Sequence, residues 1–197
     1  MPPSTPIVFM APHATACRLH VRDIGLPGSR HGACRNVDEY GAMISPTGPI
    51  SRDAGPADID QLLLLWGLLF GETAEVQAPW RGHARRWFQD VAESADSACV
   101  PVIAIGGTVV ACAVGTLQSG VPNPLCPRGR AVHLANVVTL PEHRRCGHGS
   151  ALVDRVVRWA RSIDADRVDL SATAEGQSIY ARAGFTPTTA PRMKLIL

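Results

Sequence analysis

The sequence has little of several things, and each shortage excludes a class of protein. There is one lysine, Lys194, and the net charge is only +2, so electrostatics make no case for nucleic acid as a partner. No apolar run approaches the ~20 residues of a membrane span. The longest, residues 62–70 (LLLLWGLLF), is about half of one and reads as a buried helix, so no membrane partner is expected. The opening MPPSTPIVFMAPHATACRLH lacks a basic leader, and its apolar run at 7–10 is too short for a secretory signal. A cytoplasmic protein is expected. The six cysteines, at 17, 34, 99, 112, 126 and 146, include no CxxC and are expected to stay reduced, with Cys99 and Cys112 serving as small hydrophobes in apolar runs.

What is present supports a folded core: 46% of the 197 residues are hydrophobic and 18% charged. One domain is expected, over 48–197. Residues 1–47 are rich in Pro, Gly, His and Cys without helical or strand period, and read as a disordered extension. Basic charge carried almost wholly by arginine points to a GC-rich coding sequence. Start sites in such sequences are easily placed too early, and Met43 is an alternative start. His13, Cys17, His20, His31 and Cys34 form a C-x-x-H and an H-x-x-C, but without paired-finger spacing no metal is expected.

Ordered patterning begins near Pro49. A short strand is predicted at 49–53, a helix over 57–70 opened by Pro56, and a second helix over 80–94. Residues 98–105 and 108–117 form a hairpin around Gly106-Gly107, with Pro101 requiring an edge or a bulge. A Pro/Gly loop at 119–130, long enough to be functional or mobile, leads into a strand at 131–139. Residues 151–162 carry a helical apolar stripe, 167–171 a short strand, 176–183 a short helix, and 193–197 a last strand. This order describes an α/β protein with a mixed sheet.

Between the 131–139 strand and the following helix stands LPEHRRCGHGSA. A glycine-containing turn after a strand can aim successive backbone N–H groups into one concavity, to which the helix adds its unsatisfied amides and positive dipole end. Gly147 and Gly149 allow close backbone approach, and Arg144 or Arg145 can offset further negative charge. The stretch is neither a Walker loop nor a dinucleotide fingerprint, since G-x-G-x-x-G fails at Leu152. Residues 137–149 (VVTLPEHRRCGHG) resemble the acetyl-CoA signature of the GNAT N-acetyltransferases, [RQ]-x-x-G-x-[GA] after a strand ending x-V-x-x-P. Residues 178–185 (SIYARAGF) resemble that family's later x-L-Y-x-x-x-G-F segment.

The resemblance implies a mostly antiparallel central sheet with helices on both faces. It also implies that the fourth and fifth strands splay at a bulge near 137–139. Acetyl-CoA is then the co-substrate. Its pyrophosphate would lie on Arg144, Arg145, Cys146, Gly147, His148, Gly149 and Ser150, and its pantetheine would pair with Val137, Val138 and Thr139. The Val138 amide would stabilise the oxyanion. Tyr180 would protonate the departing thiolate. Many family members carry a glutamate where Ala135 stands; by strand alternation His133 shares a face with Ala135 and Val137, as in arylalkylamine-type members, and is the candidate base. His148 is expected to face solvent or to touch CoA.

The first two helices and the 119–130 loop would meet the acceptor. Trp66 and Trp80 could line its pocket, though core packing suits Trp66 better, and Glu72, Glu75 and Asp90 could attract an amine. The leading expectation is transfer of acetyl to the amine of a small molecule by direct attack in a ternary complex. Acetylation of a protein N-terminus or lysine, and a non-catalytic acyl-CoA-binding domain, are the alternatives. A homodimer is common in the family and stays open.

Overall fold

The computed structural model describes residues 48–71, 78–93, 96–189 and 193–196. The proposed extension with its His/Cys cluster, and the acidic Glu72 and Glu75, lie outside these. Strand β1 (Ile50–Asp53) and a 3-10 turn at Pro56–Asp58 lead into α1 (Ile59–Leu69), which is followed by α2 (Trp80–Glu93). The turn is fastened by Asp58, whose buried carboxylate takes both Arg52 Nη atoms (2.5 and 2.8 Å) and the Gly55 N–H (2.8 Å).

Next come β2 (Ala98–Cys99), β3 (Pro101–Ile105) and β4 (Thr108–Ser119). Gly106 and Gly107 have φ of 56° and 83°, the paired positive values that let a two-residue turn match the twist of its strands. Pro101 does not lie on an edge, since β3 is paired with both β1 and β4. The strand breaks instead at Val100, next to the residue that has no N–H for the ladder. The sheet continues through β5 (Arg130–Thr139), α3 (His148–Ser162), β6 (Arg167–Leu170) and α4 (Gln177–Arg182). Its order is β1-β3-β4-β5-β6, with β2 also on β4; only the β5–β6 pair is parallel.

Helices cover both faces. On one, Leu62, Leu65 and Phe88 of the first two helices pack on Val102, Val109, Cys112, Val114 and Val138, with Trp66 at the margin of this core. On the other, Leu152, Val153, Val156 and Ala160 of α3 pack on Val110, Ala113, Val132 and Leu134. Contact with β4 is closest at Gly115, where a Cβ would stand 2.6 Å from Val156 Cγ1. Cys99, Cys112 and Cys126 are buried free thiols.

Three expectations are corrected. α1 buries one stripe only, and Leu64, Leu68 and Phe70 stay at least half exposed, because a helix lying on a sheet meets it on one side. The described residues 193–196 form no strand and are exposed; a short apolar run does not choose a partner for itself. The 119–130 loop is tied down rather than loose: Gly120 N–H donates to Gly129 O at 2.8 Å, and the buried Asp166 carboxylate accepts from Arg128 N–H (2.9 Å) and Arg130 N–H (3.2 Å). No helix among the described residues is long and apolar enough to cross a membrane.

Candidate active site

The site begins with an irregularity in β5. Ala135 pairs with Val114 and Val138 with Cys112, so Asn136 and Val137 together oppose one residue of β4, and Asn136 takes φ 52°. Asparagine tolerates that left-handed conformation better than most residues. The extra residue reverses the alternation of side chains beyond it. Val132, Leu134 and Val137 therefore face α3, while Val138 faces α1. His133 keeps its place on the α1 side, but the residue that continues its face is Val138 and not Val137, correcting the simple alternation.

β6 pairs with β5 only from Ala131 to Leu134. From Ala135 to Thr139 the β6-side edge of β5 has no strand partner among the described residues. Leu140 N–H donates to Val110 O at 2.9 Å. Because successive amides in a strand point to alternate sides, the Val138 N–H is directed at β4, and the Val137 and Thr139 amides at the open edge.

The chain then turns through Pro141–His143 and enters α3 at His148, three residues before the apolar stripe becomes regular. Arg145 and Gly147 have φ of 64° and 82°. Gly147 is the N-cap, with no side-chain cap and no acidic residue in the first turn, so the first helical amides are left for an outside acceptor. A left-handed residue followed by right-handed ones makes the concave N–H array that holds anions. The two glycines have different reasons. A Cβ on Gly147 would meet nothing, so its φ is what matters; a Cβ on Gly149 would stand 3.3 Å from Ile179 Cδ1, so its smallness lets α4 close on α3.

Arg144 Nε donates to Thr139 O at 3.2 Å, and among the described residues neither Arg144 nor Arg145 pairs with a carboxylate. Ser150 is exposed in the first turn. His148 is buried rather than solvent-facing. Burial, and then the nearby His143, push its imidazole pKa down, which keeps it neutral near pH 7.

Tyr180 lies on the α3 side, half-buried, and burial pushes its phenol up. The motif around it now has a physical reading. Gly184, at φ 92°, ends α4, Phe185 N–H returns to Tyr180 O at 3.0 Å, and the Phe185 ring meets the Tyr180 ring edge-on at 6.0 Å. Gly176 leaves room for the other edge, since a Cβ there would stand 3.1 Å from Tyr180 Cε2. His133 is partly buried, opposite Thr116 on β4 and Asp169 on β6. Only strand register brings Asp169 beside His133, so the sequence carries no local signal for it. Acid and base candidates thus occupy opposite faces of one strand.

Together these features define an α/β protein with an anion-suited strand–turn–helix at the middle of its sheet. The model of the acetyltransferase (GNAT) family matches residues 61–185, and the chain belongs to that family. Among solved structures it is similar to a GCN5-related N-acetyltransferase from Ralstonia eutropha, at 25% identity and TM-score 0.64 over 75% of this chain and 99% of that one. A predicted acetyltransferase with acetyl-CoA from Clostridium acetobutylicum aligns at 21% identity and TM-score 0.66, over 76% and 96%. The glucosamine-6-phosphate N-acetyltransferase from Arabidopsis thaliana shares the fold at 18% identity and TM-score 0.62, over 75% and 98%. No curated protein matches the sequence.

Proposed function

We propose that the protein moves an acetyl group from acetyl-CoA to the amine of a small molecule, by direct attack in a ternary complex. One observation carries the reading: β5 loses β6 after Leu134, bulges at Asn136 and runs into a helix start with no side-chain cap. An open strand edge suits an extended donor and an uncapped helix start suits its pyrophosphate. Bound acetyl-CoA supplies an acetyl group activated as a thioester.

The remaining work falls to this chain. The Gly147, His148, Gly149 and Ser150 amides donate to phosphate oxygens, and Arg144 and Arg145 add charge beside Cys146. Val137 and Thr139 offer their amides along the open edge. The oxyanion role passes from Val138 to the Val137 amide, because Val138 is turned to β4 while its side chain helps wall the α1 side. His133, or a water it holds, takes the proton from the incoming ammonium so that nitrogen presents its lone pair. Tyr180 gives its proton to the departing sulfur; a phenol raised by burial stays protonated through neutral pH, as a donor must.

The test is acetyl-CoA with a panel of amines, following release of free CoA thiol. Turnover on small amines, with Tyr180→Phe lowering kcat roughly 10²–10⁴-fold at unchanged acetyl-CoA affinity, is the expected result. Turnover confined to peptide N-termini or lysines would replace the acceptor class. Tight binding without turnover on any amine would leave a non-catalytic acyl-CoA-binding domain.

A further inference from the structure

We infer that the end of the sheet away from the α3 N-terminus carries a second ligand site, built for a small zwitterion of the amino-acid or short-peptide class. A cavity of about 720 Å³ lies where the end of β4, the start of β5 and the end of α3 meet. Arg128, Arg130, Asp96 and Asp164 line it, with Leu117 and Ile163 as its apolar wall. Arg130 is held by Nε donating to Ile163 O at 3.2 Å, and its two terminal nitrogens have no acceptor among the described residues. Arg128 is engaged by Asp166 at 3.4 Å. Asp96 and Asp164 accept no hydrogen bond and form no ion pair among the described residues. Opposite charges thus face one cavity without closing on each other, and a molecule bearing both an ammonium and a carboxylate satisfies both sides.

The end of α3 presents Asp164 to this cavity. Asp164 follows the C-cap of α3 with φ 55°. The helix closes through Asp164 N–H to Arg161 O at 3.1 Å and Ala165 N–H to Ala160 O at 2.9 Å. That position usually goes to glycine, or to asparagine. An aspartate there also sets a negative charge at the negative end of the helix dipole. Arg161 in the last turn and Arg130, whose Nε donates to Ile163 O, set positive charge beside that helix end. Aspartate is among the residues that accept the left-handed turn, which leaves its carboxylate exposed at the cavity that Arg130 also lines. The frame is rigid, because Asp166 fixes the backbone of both Arg128 and Arg130 through their N–H groups.

The fifteen residues of α3 span about 22 Å between Gly147 and this cavity. The site is therefore separate from the acetyl-donor cradle and does not depend on that assignment. Calorimetric titration of the full chain, without acetyl-CoA, tests it with leucyl-leucine and L-leucine, and with butylamine and butyrate as single-charge controls. One saturable site for a zwitterion is expected, with each control about tenfold weaker or worse. Asp164→Gly should weaken binding about tenfold while Tm holds or rises, since glycine suits the left-handed position. Arg130→Gln should weaken it similarly. No saturation of either zwitterion by about 10 mM, equal binding of the controls, binding that survives both substitutions, or displacement by acetyl-CoA would each overturn the inference.

Discussion

Replacing Gly147 by alanine separates a backbone role in the phosphate cradle from any side-chain role. A Cβ at this position meets no atom within 4 Å, so the whole cost is conformational. At φ 82° that cost is about 1–2 kcal/mol for an L-residue. The variant has two ways to respond. If it keeps the left-handed geometry, stability falls by that amount, which for a protein of this size lowers Tm by roughly 2–8 °C, and acetyl-CoA affinity holds. If residue 147 relaxes to negative φ, the amides of 147–149 no longer converge. A charge-assisted hydrogen bond is worth about 1.5–3 kcal/mol, so losing one raises the Kd for acetyl-CoA roughly 10–100-fold. Gly147→Asn should recover most of either loss, because asparagine accepts the left-handed region. Thermal unfolding and calorimetric titration with acetyl-CoA read the two responses separately. An alanine variant with parental Tm and parental Kd would refute the claim that this φ is required.

Three further outcomes test the frame around the site. Gly115→Ala sets a Cβ 2.6 Å from Val156 Cγ1 and 3.3 Å from the Trp159 ring; overpacking of about 1–3 kcal/mol should lower Tm by roughly 2–12 °C, and an unchanged Tm would mean α3 does not press on β4 there. The hydrogen bonds from Arg52 hold the Asp58 carboxyl below its ordinary range, outweighing the burial that pushes it up, with help from Gly55 N–H. A depressed folded pKa stabilises above the unfolded value and is lost as pH falls through the folded one. Asp58→Asn should therefore cost about 1–3 kcal/mol at pH 7, and the gap to the parent should close below about pH 4; a gap equal at pH 7 and pH 3 would contradict the pairing. Burial first, and then Asp53, push the Cys99 thiol up to about 12, and burial alone does the same to Cys112. Neither should react with a disulfide reagent at pH 8 until the protein unfolds, and prompt labelling of both in the native state would show that this core opens.

Sequence and structure divided the determination along physical lines. Signals that act within a few residues were legible. Gly106-Gly107 dictated a turn, the stripe at 152, 153, 156 and 160 dictated one face of α3, and the Arg/Gly stretch identified the strand–turn–helix junction. The segment holding Tyr180, Gly184 and Phe185 identified the family, although the reason for that spacing, a ring held by a chain that doubles back, needed the folded geometry. What escaped depends on a neighbour. The bulge at Asn136 exists only relative to β4, and it alone decides that His133 shares a face with Val138 and that the Val137 amide looks outward. The burial of His148, the contact that requires Gly149 to be small and the position of Asp169 beside His133 likewise arise from elements distant in sequence. Residues 193–196 have an apolar pattern but no strand partner among the described residues. The sequence by itself settled which elements form and which chemistry they resemble, because propensity and turn stereochemistry are local. Only tertiary structure decided which side of each strand faces which helix, because register is a relation between two strands and a shift of one residue reverses it.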